Sequence, residues 1–143
     1  MTNVANVLKD KTSISVYTIS PEATVLEAIT LMAEKGIGAL VVTEGEEVAG
    51  ILSERDYTRK IALMQRKSFD TTVSEIMTAK VLTVSNATTV EECLNLMTDK
   101  HLRHLPVVES GKLIGLVSIG DLVKATMEDQ KKLIEQLQQY ISG

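Results

Sequence analysis

A chain of 143 residues with a net charge of −4 and no run of lysine and arginine is a poor candidate for binding nucleic acid, whose phosphates require a basic surface. Only 3% of the residues are aromatic, so the core must be aliphatic and few side chains could stack on unpaired bases. Hydrophobic residues make up 44% and charged residues 24%, as is typical of a soluble globular protein.

The cysteine content and the hydropathy bear on the compartment. A single cysteine, Cys93, excludes an internal disulfide and fits a reducing environment. The N-terminal residues have neither the basic region nor the apolar stretch of a signal peptide. No apolar run approaches the roughly 20 residues that span a bilayer. We therefore expect a cytoplasmic protein without a membrane segment.

The first half of the chain predicts a short strand, a helix, a hairpin and a second helix. Residues 16–19 alternate as in a strand, and Thr24 with Glu27 forms a capping-box pattern at a helix that Gly36 should end. Residues 39–43 and 48–52 are predicted strands joined by a polar turn. Ser53 should begin a helix that runs to about residue 64, and residues 65–72 form a polar linker.

The second half repeats this plan without a gap, 65 residues further on, as from Gly50 to Gly115. The stretch GILSERD at residues 50–56 returns as GLVSIGD at residues 115–121. Such a fixed offset indicates one supersecondary unit used twice. Strands are predicted at residues 81–84, 104–109 and 113–117, a capped helix at Thr89, and a last helix from Ser118 that continues through residues 127–141.

Each repeat thus reads β-α-β-β-α, which predicts an α/β (α+β) fold of two related units. The helix start TVxE, the Leu-Met pair that follows it, the sequence RHLPVV at residues 103–108 and the doubled GxxSxxD together resemble the CBS domain. The tandem pair resembles a Bateman module, a stand-alone protein of two CBS domains. The resemblance implies pseudo-twofold-related units packed through their sheets. We place CBS domain 1 at residues 1–69, and CBS domain 2 with its C-terminal helical extension at residues 70–143.

The resemblance also implies two clefts that bind adenosine-containing ligands such as AMP, ADP, ATP, NAD or S-adenosylmethionine. It places Ser53, Arg55 and Asp56 with Arg103 and His104 in one cleft. The other would hold the equivalent turn with the strand entry of the first repeat, namely Ser118, Asp121, Ile37, Gly38 and Ala39. Thr18 and Thr83 are candidate contacts on the adenine side, and both are equally well explained as strand formers.

The Ser-x-x-Asp turns have two interpretations. In one, Ser53 and Ser118 are helix N-caps, with the aspartates at the third helical position. In the other, each aspartate accepts hydrogen bonds from a ribose, while the serine and the helix N-terminus face a phosphate. Aspartate is shorter than the glutamate at the same position of the other two helices and should reach back to the cap less well. This difference favours the ligand interpretation.

The sequence contains no other pattern that carries chemistry. Walker, GxGxxG and GxSxG motifs are absent, so no enzyme is predicted. His101 and His104 have no carboxylate or second cysteine to complete a metal site, and Cys93 falls on a buried helix face. We therefore predict a regulatory adenine-nucleotide sensor without a prosthetic group. It would act on itself as a homodimer or on an unidentified regulated protein. The alternative is a constitutive scaffold or dimerisation module with vestigial clefts.

Overall fold

The computed structural model describes residues 2–11 and 16–142 of the chain. Its helices and strands follow in the order α1 Val4–Asp10, β1 Thr18–Ile19, α2 Val25–Lys35, β2 Ala39–Glu44, β3 Glu47–Ser53, α3 Glu54–Tyr57 with a π-helical turn at Thr58–Ala62, α4 Val73–Ile76, β4 Thr78–Ala79, α5 Val90–Lys100, β5 His104–Glu109, β6 Lys112–Ser118 and α6 Ile119–Ser142. The α+β fold predicted from the sequence is confirmed.

Helices α2 and α5 begin at the two predicted threonine caps. Thr24 Oγ1 accepts the backbone N–H of Glu27 at 3.1 Å, and Thr89 Oγ1 accepts that of Glu92 at the same distance. The predicted stop at Gly36 is confirmed, because this residue is left-handed with φ of 63°. His101 ends α5 at the equivalent place with φ of 56°, a conformation that is costlier for a residue with a Cβ.

The strands form a four-stranded sheet and a two-stranded hairpin. The sheet has the order β1-β2-β3-β4, with β1 parallel to β2 and the other pairs antiparallel. The hairpin of β5 and β6 is antiparallel in the same register as its counterpart, so that Val107 faces Gly115 as Val42 faces Gly50. Strands β3 and β6 contact each other, which brings the two repeats together through their sheets.

Three predicted elements differ from the structure. The strand predicted at residues 81–84 is wrong except at Val84, the one of these four residues that pairs with β5. The Val84 N–H donates to Pro106 O, and the Val84 carbonyl accepts the Val108 N–H. Residues 81 and 82 line a cavity instead, and residues 78–79 form the strand β4. The strand predicted at residues 16–19 shortens to β1, and the helix predicted from Ser53 changes to π-helical geometry after Tyr57.

The two hydrophobic cores exchange their leading helices. Val4 and Val7 of α1 lie in the core of the second repeat, with Cys93 and Leu105 among its members. Val73 and Ile76 of α4 lie in the core of the first repeat. The domain boundary between residues 69 and 70 stays a prediction. Each core contains a short helix from across that boundary, α1 in the second core and α4 in the first.

The repeated glycine of GxxSxxD makes this exchange sterically possible. A Cβ at Gly50 would lie 2.6 Å from the backbone oxygen of Thr78, and one at Gly115 would lie 2.8 Å from Leu8 Cδ2. Both distances are too short for real atoms. The segment that follows α4 therefore lies against β3 at Gly50, and Leu8 of α1 lies against β6 at Gly115, the two positions where the strand has no side chain.

Helix α6 is one unbroken helix of 24 residues, which confirms the predicted continuation of the last helix. Its first turns pack on the second repeat through Leu122, whereas residues 127–142 are exposed. The tail does not fold back over its own domain in this structure. Over the ranges 2–11 and 16–142, none of the helices combines the length and the apolar character needed to cross a membrane.

Candidate ligand-binding clefts

A cavity of about 560 Å³, which we call cleft 1, opens between the start of α3 and the residues that lead into β5. The Ser53–Asp56 turn forms one side, and residues 100–104 form the other. Apolar side chains complete the lining, among them Ile51, Val81, Leu82 and Leu102. The volume lies in the range of small-molecule sites.

Cleft 1 is strongly cationic although the protein is acidic overall. Five lysines and arginines are among the described residues of its lining, against the two acids Glu54 and Asp56; the five are Arg55, Arg59, Lys80, Lys100 and Arg103. They come from both repeats and from the segment after β4. Such a concentration of positive charge attracts anionic ligands, phosphates in particular.

The Ser53 turn in cleft 1 is a complete capping box. Ser53 Oγ accepts the Asp56 N–H at 3.2 Å, and Asp56 Oδ2 accepts the Ser53 N–H at 3.0 Å and its hydroxyl at 3.1 Å. The other carboxylate oxygen, Oδ1, lies 3.7 Å from Lys60 Nζ. That lysine also donates to Ile76 O at 2.9 Å.

This geometry corrects the argument that aspartate is too short to reach back to the cap. Asp56 does so, and Asp121 accepts the Ser118 N–H at 2.9 Å. The short reach suffices because both carboxylates bond the backbone of the capping residue directly. The use of aspartate is therefore explained by capping, and it no longer favours a ligand by itself.

A second cavity of about 330 Å³, cleft 2, lies at the start of α6. Ser118 and Asp121 form its polar side, and Ile37, Gly38 and Ala39 form the opposite wall. Val16, Tyr17 and Leu116 add apolar surface. Lys11 is the one lysine or arginine among the described residues of the lining, so this cleft carries much less positive charge than cleft 1.

Lys11 bridges two acceptors in cleft 2. Its ammonium donates to Leu116 O at 2.8 Å and lies 3.0 Å from Asp121 Oδ2. Burial alone would raise the pKa of the Asp121 carboxyl, but the Ser118 N–H and the Lys11 ammonium outweigh it and hold this pKa below its usual value. Asp121 is thus an ionised carboxylate with a cation already beside it.

Gly38 and His104 line both clefts. His104 is half-buried at the start of β5. Burial lowers the pKa of its imidazole, Asp121 opposes this effect, and Lys11 and Arg103 lower the pKa further. At neutral pH this shared wall therefore favours a neutral imidazole.

The structure brings together most of the predicted site residues in the predicted grouping. Ser53, Arg55 and Asp56 share cleft 1 with Arg103 and His104, and residues 37–39 share cleft 2 with Ser118 and Asp121. Thr18 and Thr83 are exposed and appear in the lining of neither cavity. The role of all twelve residues as ligand contacts stays a prediction.

Sequence reasoning missed Lys11 in cleft 2 and Arg59, Lys80 and Lys100 in cleft 1. Lys11 and Lys80 are not lysines in the other repeat, where Ile76 and Ser15 stand at the equivalent positions, so the repeat alignment gave no signal for them. Lys100 is matched by Lys35, and Arg59 is matched by Lys124. Arg59 could have been found, because it lies one helical turn after Arg55 on the same face.

The remaining chemistry-bearing side chains form no further site. Cys93 is fully buried in the second core, where burial raises the pKa of its thiol. Within residues 2–11 and 16–142, no group of three or more His, Cys, Asp and Glu side chains is arranged to hold a metal ion.

Two structural repeats with exchanged leading helices and a cleft at each Ser-x-x-Asp turn define a tandem-domain protein with two candidate binding sites. The sequence matches the CBS domain over residues 7–63 and again over residues 73–128. The chain therefore belongs to the CBS domain family, whose members commonly serve as regulatory or signal-transduction modules.

Known relatives support this membership. A protein with CBS domains from Burkholderia ambifaria, described as a signal-transduction protein, is 53% identical with a TM-score of 0.86, over 90% of this chain and 96% of that one. The mitochondrial CBS domain-containing protein CBSX3 of Arabidopsis thaliana is 42% identical over 84% of this chain. The match spans 61% of the length of that protein. A hexameric CBS-CP12 protein from bloom-forming cyanobacteria is 28% identical with a TM-score of 0.76, over 86% of this chain and 70% of that one.

Proposed function

We propose that the protein is a non-catalytic regulatory sensor that binds an adenine nucleotide, AMP, ADP, ATP or NAD, in cleft 1. The observation that carries this proposal is the convergence of the Ser53–Asp56 turn and five lysine and arginine side chains on one cavity. Family membership supports the adenosine part of the ligand, and the charge of the cleft supports the phosphate part.

The arrangement suits the three parts of a nucleotide. Asp56 Oδ2 is engaged by the cap, whereas Oδ1 lies 3.7 Å from Lys60 Nζ and could accept from a ribose hydroxyl. Arg55 and Arg103 approach from opposite sides of the cavity and offer planar donor forks to phosphate. The apolar lining, with Leu82 and Leu102, offers surface to the base.

Regulation would follow from linkage between binding and conformation. Cleft 1 is built from both repeats, so a ligand that fits one relative arrangement better than another shifts the population toward it. A partner protein or a second copy of the chain would read that shift. No covalent chemistry is part of this proposal.

A thermal-shift series tests the sensor function. AMP, ADP, ATP, NAD and S-adenosylmethionine are each added at millimolar concentration, with GMP and UMP as matched controls for phosphate charge. At about 100 times Kd a ligand that binds only the native state adds about 2.7 kcal/mol to the free energy of unfolding. A rise in Tm with one or more adenine nucleotides, and a smaller rise with GMP and UMP, is expected. Flat melting curves with all the adenine ligands would overturn the proposal.

A second candidate is assembly through α6, with the clefts having no ligand. The observation that favours it is the exposed apolar side of the distal half of this helix, including Ile134, Leu137 and Ile141. These residues follow a heptad-like spacing, which suits a homodimer of CBS pairs. The cyanobacterial relative is itself hexameric. A protein that assembles through α6 could also bind nucleotides. Flat melting curves with all the adenine ligands would exclude the sensor and leave the scaffold as the remaining candidate.

We further propose the cytoplasm as the location. The basis is the single buried cysteine, which fits a reducing compartment. Cell fractionation with an antibody to the protein would test it, and recovery in an oxidising compartment would contradict it.

A further inference from the structure

Each Ser-x-x-Asp turn is hydrogen-bonded to a residue that lines the other cleft. In cleft 1 the Glu54 N–H donates to Gly38 O at 3.0 Å, and Gly38 also lines cleft 2. In cleft 2 the Ile119 N–H donates to Arg103 O at 2.9 Å, and Arg103 lines cleft 1. A displacement of either turn on binding is therefore transmitted through one backbone bond to the wall of the neighbouring cleft.

His104 adds an electrostatic connection at the same wall. It lines both cavities, next to Arg103 in the chain. The charges that act on it are those of Asp121 from α6, Lys11 from the segment after α1, and Arg103. The other charged residues that line cleft 1 with it are Glu54, Arg55, Asp56, Arg59, Lys80 and Lys100.

We propose that the two clefts bind anionic ligands cooperatively across this shared wall, with His104 as the residue that links them. The proposal rests on the function proposed above and extends it from occupancy of one cleft to coupling between two. The repeat alignment does not suggest such a link, because Ala39 stands at the position equivalent to His104.

The physical basis is a shared proton. Burial and the neighbouring Lys11 and Arg103 keep the pKa of His104 below its ordinary value, so the imidazole is neutral in the empty protein at neutral pH. An anionic phosphate in either cleft offsets those cations and stabilises the imidazolium. Two ligands that each favour the same protonated side chain favour one another, and thermodynamic linkage makes the effect reciprocal.

The sign and the pH range follow. At a pH above the pKa of His104 in the doubly loaded protein, the imidazole stays neutral and this coupling disappears. At a pH below its pKa in the empty protein, His104 is already protonated and the coupling also disappears. Coupling is therefore largest at a pH between the two values. Other coupling through the backbone bonds would not depend on pH in this way.

The histidine pKa values can be measured in the intact protein because the chain has two histidines. The imidazole signals of His101 and His104 are followed by NMR from pH 5 to pH 9, without ligand and with saturating AMP. The variants His101→Asn and His104→Asn assign them. We expect the pKa of His104 to rise by about 2.5 units when both clefts are saturated, roughly 1.2 units for each ligand, because five-fold coupling through one proton requires a shift of this size.

Calorimetry measures the coupling itself. Ile37→Trp fills cleft 2 and Leu102→Trp fills cleft 1, and these positions are equivalent in the two repeats. The coupling factor is the product of the two AMP binding constants of the intact protein divided by the product of those of the filled variants. At the pH midway between the two measured His104 pKa values we expect about five-fold coupling, the low end of typical values. We expect a factor near one at a pH above both values, and a factor near one in His104→Asn at every pH.

The outcomes separate the two proposals. AMP binding at both clefts with an unchanged His104 pKa would overturn the coupling and leave the sensor function intact. Equal coupling in the wild type and His104→Asn would do the same. Flat melting curves with every adenine nucleotide would remove both proposals. If a tryptophan variant does not fold, the histidine pKa values in the wild-type protein still decide the matter.

Discussion

Lys11 Nζ lies 3.0 Å from Asp121 Oδ2, and this ion pair joins the segment after the first helix to the start of the last one. Its counterpart in the first repeat is looser, with Lys60 Nζ 3.7 Å from Asp56 Oδ1. The two clefts thus share a turn geometry but differ in how far their aspartate is already neutralised. This difference leads us to expect the more highly charged ligand in cleft 1.

Replacing the cation of cleft 2 tests the Lys11–Asp121 pair. We expect Lys11→Met to lower the free energy of unfolding by about 0.5–1 kcal/mol at pH 7, since both side chains are roughly a quarter exposed. The pKa of Asp121 is lower in the folded protein than in the unfolded chain. The ion pair therefore contributes fully to the free energy of unfolding above the ordinary aspartate pKa, near 4, and this contribution is lost as the pH falls through the pKa of the folded protein. The difference in urea midpoint between the wild type and Lys11→Met should therefore decrease from pH 7 to pH 3. The exposed Lys9→Met is the control, and equal effects of the two variants at pH 7 would contradict the prediction.

Substitutions of Asp56 separate capping from ligand binding. Asp56→Asn keeps an oxygen for the Ser53 N–H but loses the charge, whereas Asp56→Ala loses both. As a capping change, Asp56→Ala should cost on the order of 1 kcal/mol of stability, and Asp56→Asn much less. If Asp56 also holds a ribose, both variants weaken AMP binding by about 1.5–3 kcal/mol in calorimetry. Unchanged affinity in both would return the residue to its capping role. Asp121→Asn serves as the matched variant for cleft 2.

Adding a methyl group at the two repeated glycines tests the crossed packing. Gly50→Ala meets the rigid backbone oxygen of Thr78, whereas Gly115→Ala meets the end of the Leu8 side chain, which can move. We expect both to destabilise the protein, by about 1–3 kcal/mol, with Gly50→Ala the worse. Gly120→Ala is the control, because its Cβ would make an ordinary contact with Ser118 Oγ and should stabilise α6 slightly. Urea denaturation measures all three, and equal stability of Gly50→Ala and Gly120→Ala would contradict the packing argument.

Removing the distal part of α6 tests the homodimer. Residues 129–142 are exposed along their whole length, and Asp129 at their start accepts a hydrogen bond from the Thr2 hydroxyl. Truncation after Glu128 should therefore weaken self-association in sedimentation experiments and lower the Tm of the monomer only slightly. A point variant gives the sharper comparison. Leu137→Glu on the apolar side should lower dimer affinity at least tenfold, whereas Gln138→Glu beside it should not. A truncated protein that stays dimeric at nanomolar concentration would place the dimer contact elsewhere.

The parts of the fold that the sequence predicted well are those that local chemistry determines. The caps at Thr24 and Thr89, the stop at Gly36 and both hairpins follow from residues close in the chain. The false strand at residues 81–84 has three β-branched residues out of four, but only Val84 has a neighbouring strand to pair with. Whether a partner is present is a tertiary property, and periodicity alone cannot reveal it.

The candidate site shows the same division. The Ser-x-x-Asp turns could be located because the repeat displays them twice. Lys80 and Lys100 reach cleft 1 only because β4 joins the sheet of the first repeat and α5 ends beside the cavity. Lys11 reaches cleft 2 because α1 packs against the second repeat. No local pattern marks any of these three lysines.

The exchange of α1 and α4 between the two cores has a consequence for unfolding. Neither repeat can lose its structure without exposing apolar residues that the other supplies, Val4 and Val7 in one case and Val73 and Ile76 in the other. The isolated halves, divided anywhere in the linker, would each lack part of a core and present an unfilled groove. The tandem pair should therefore melt in a single cooperative transition, with calorimetric and van't Hoff enthalpies in agreement.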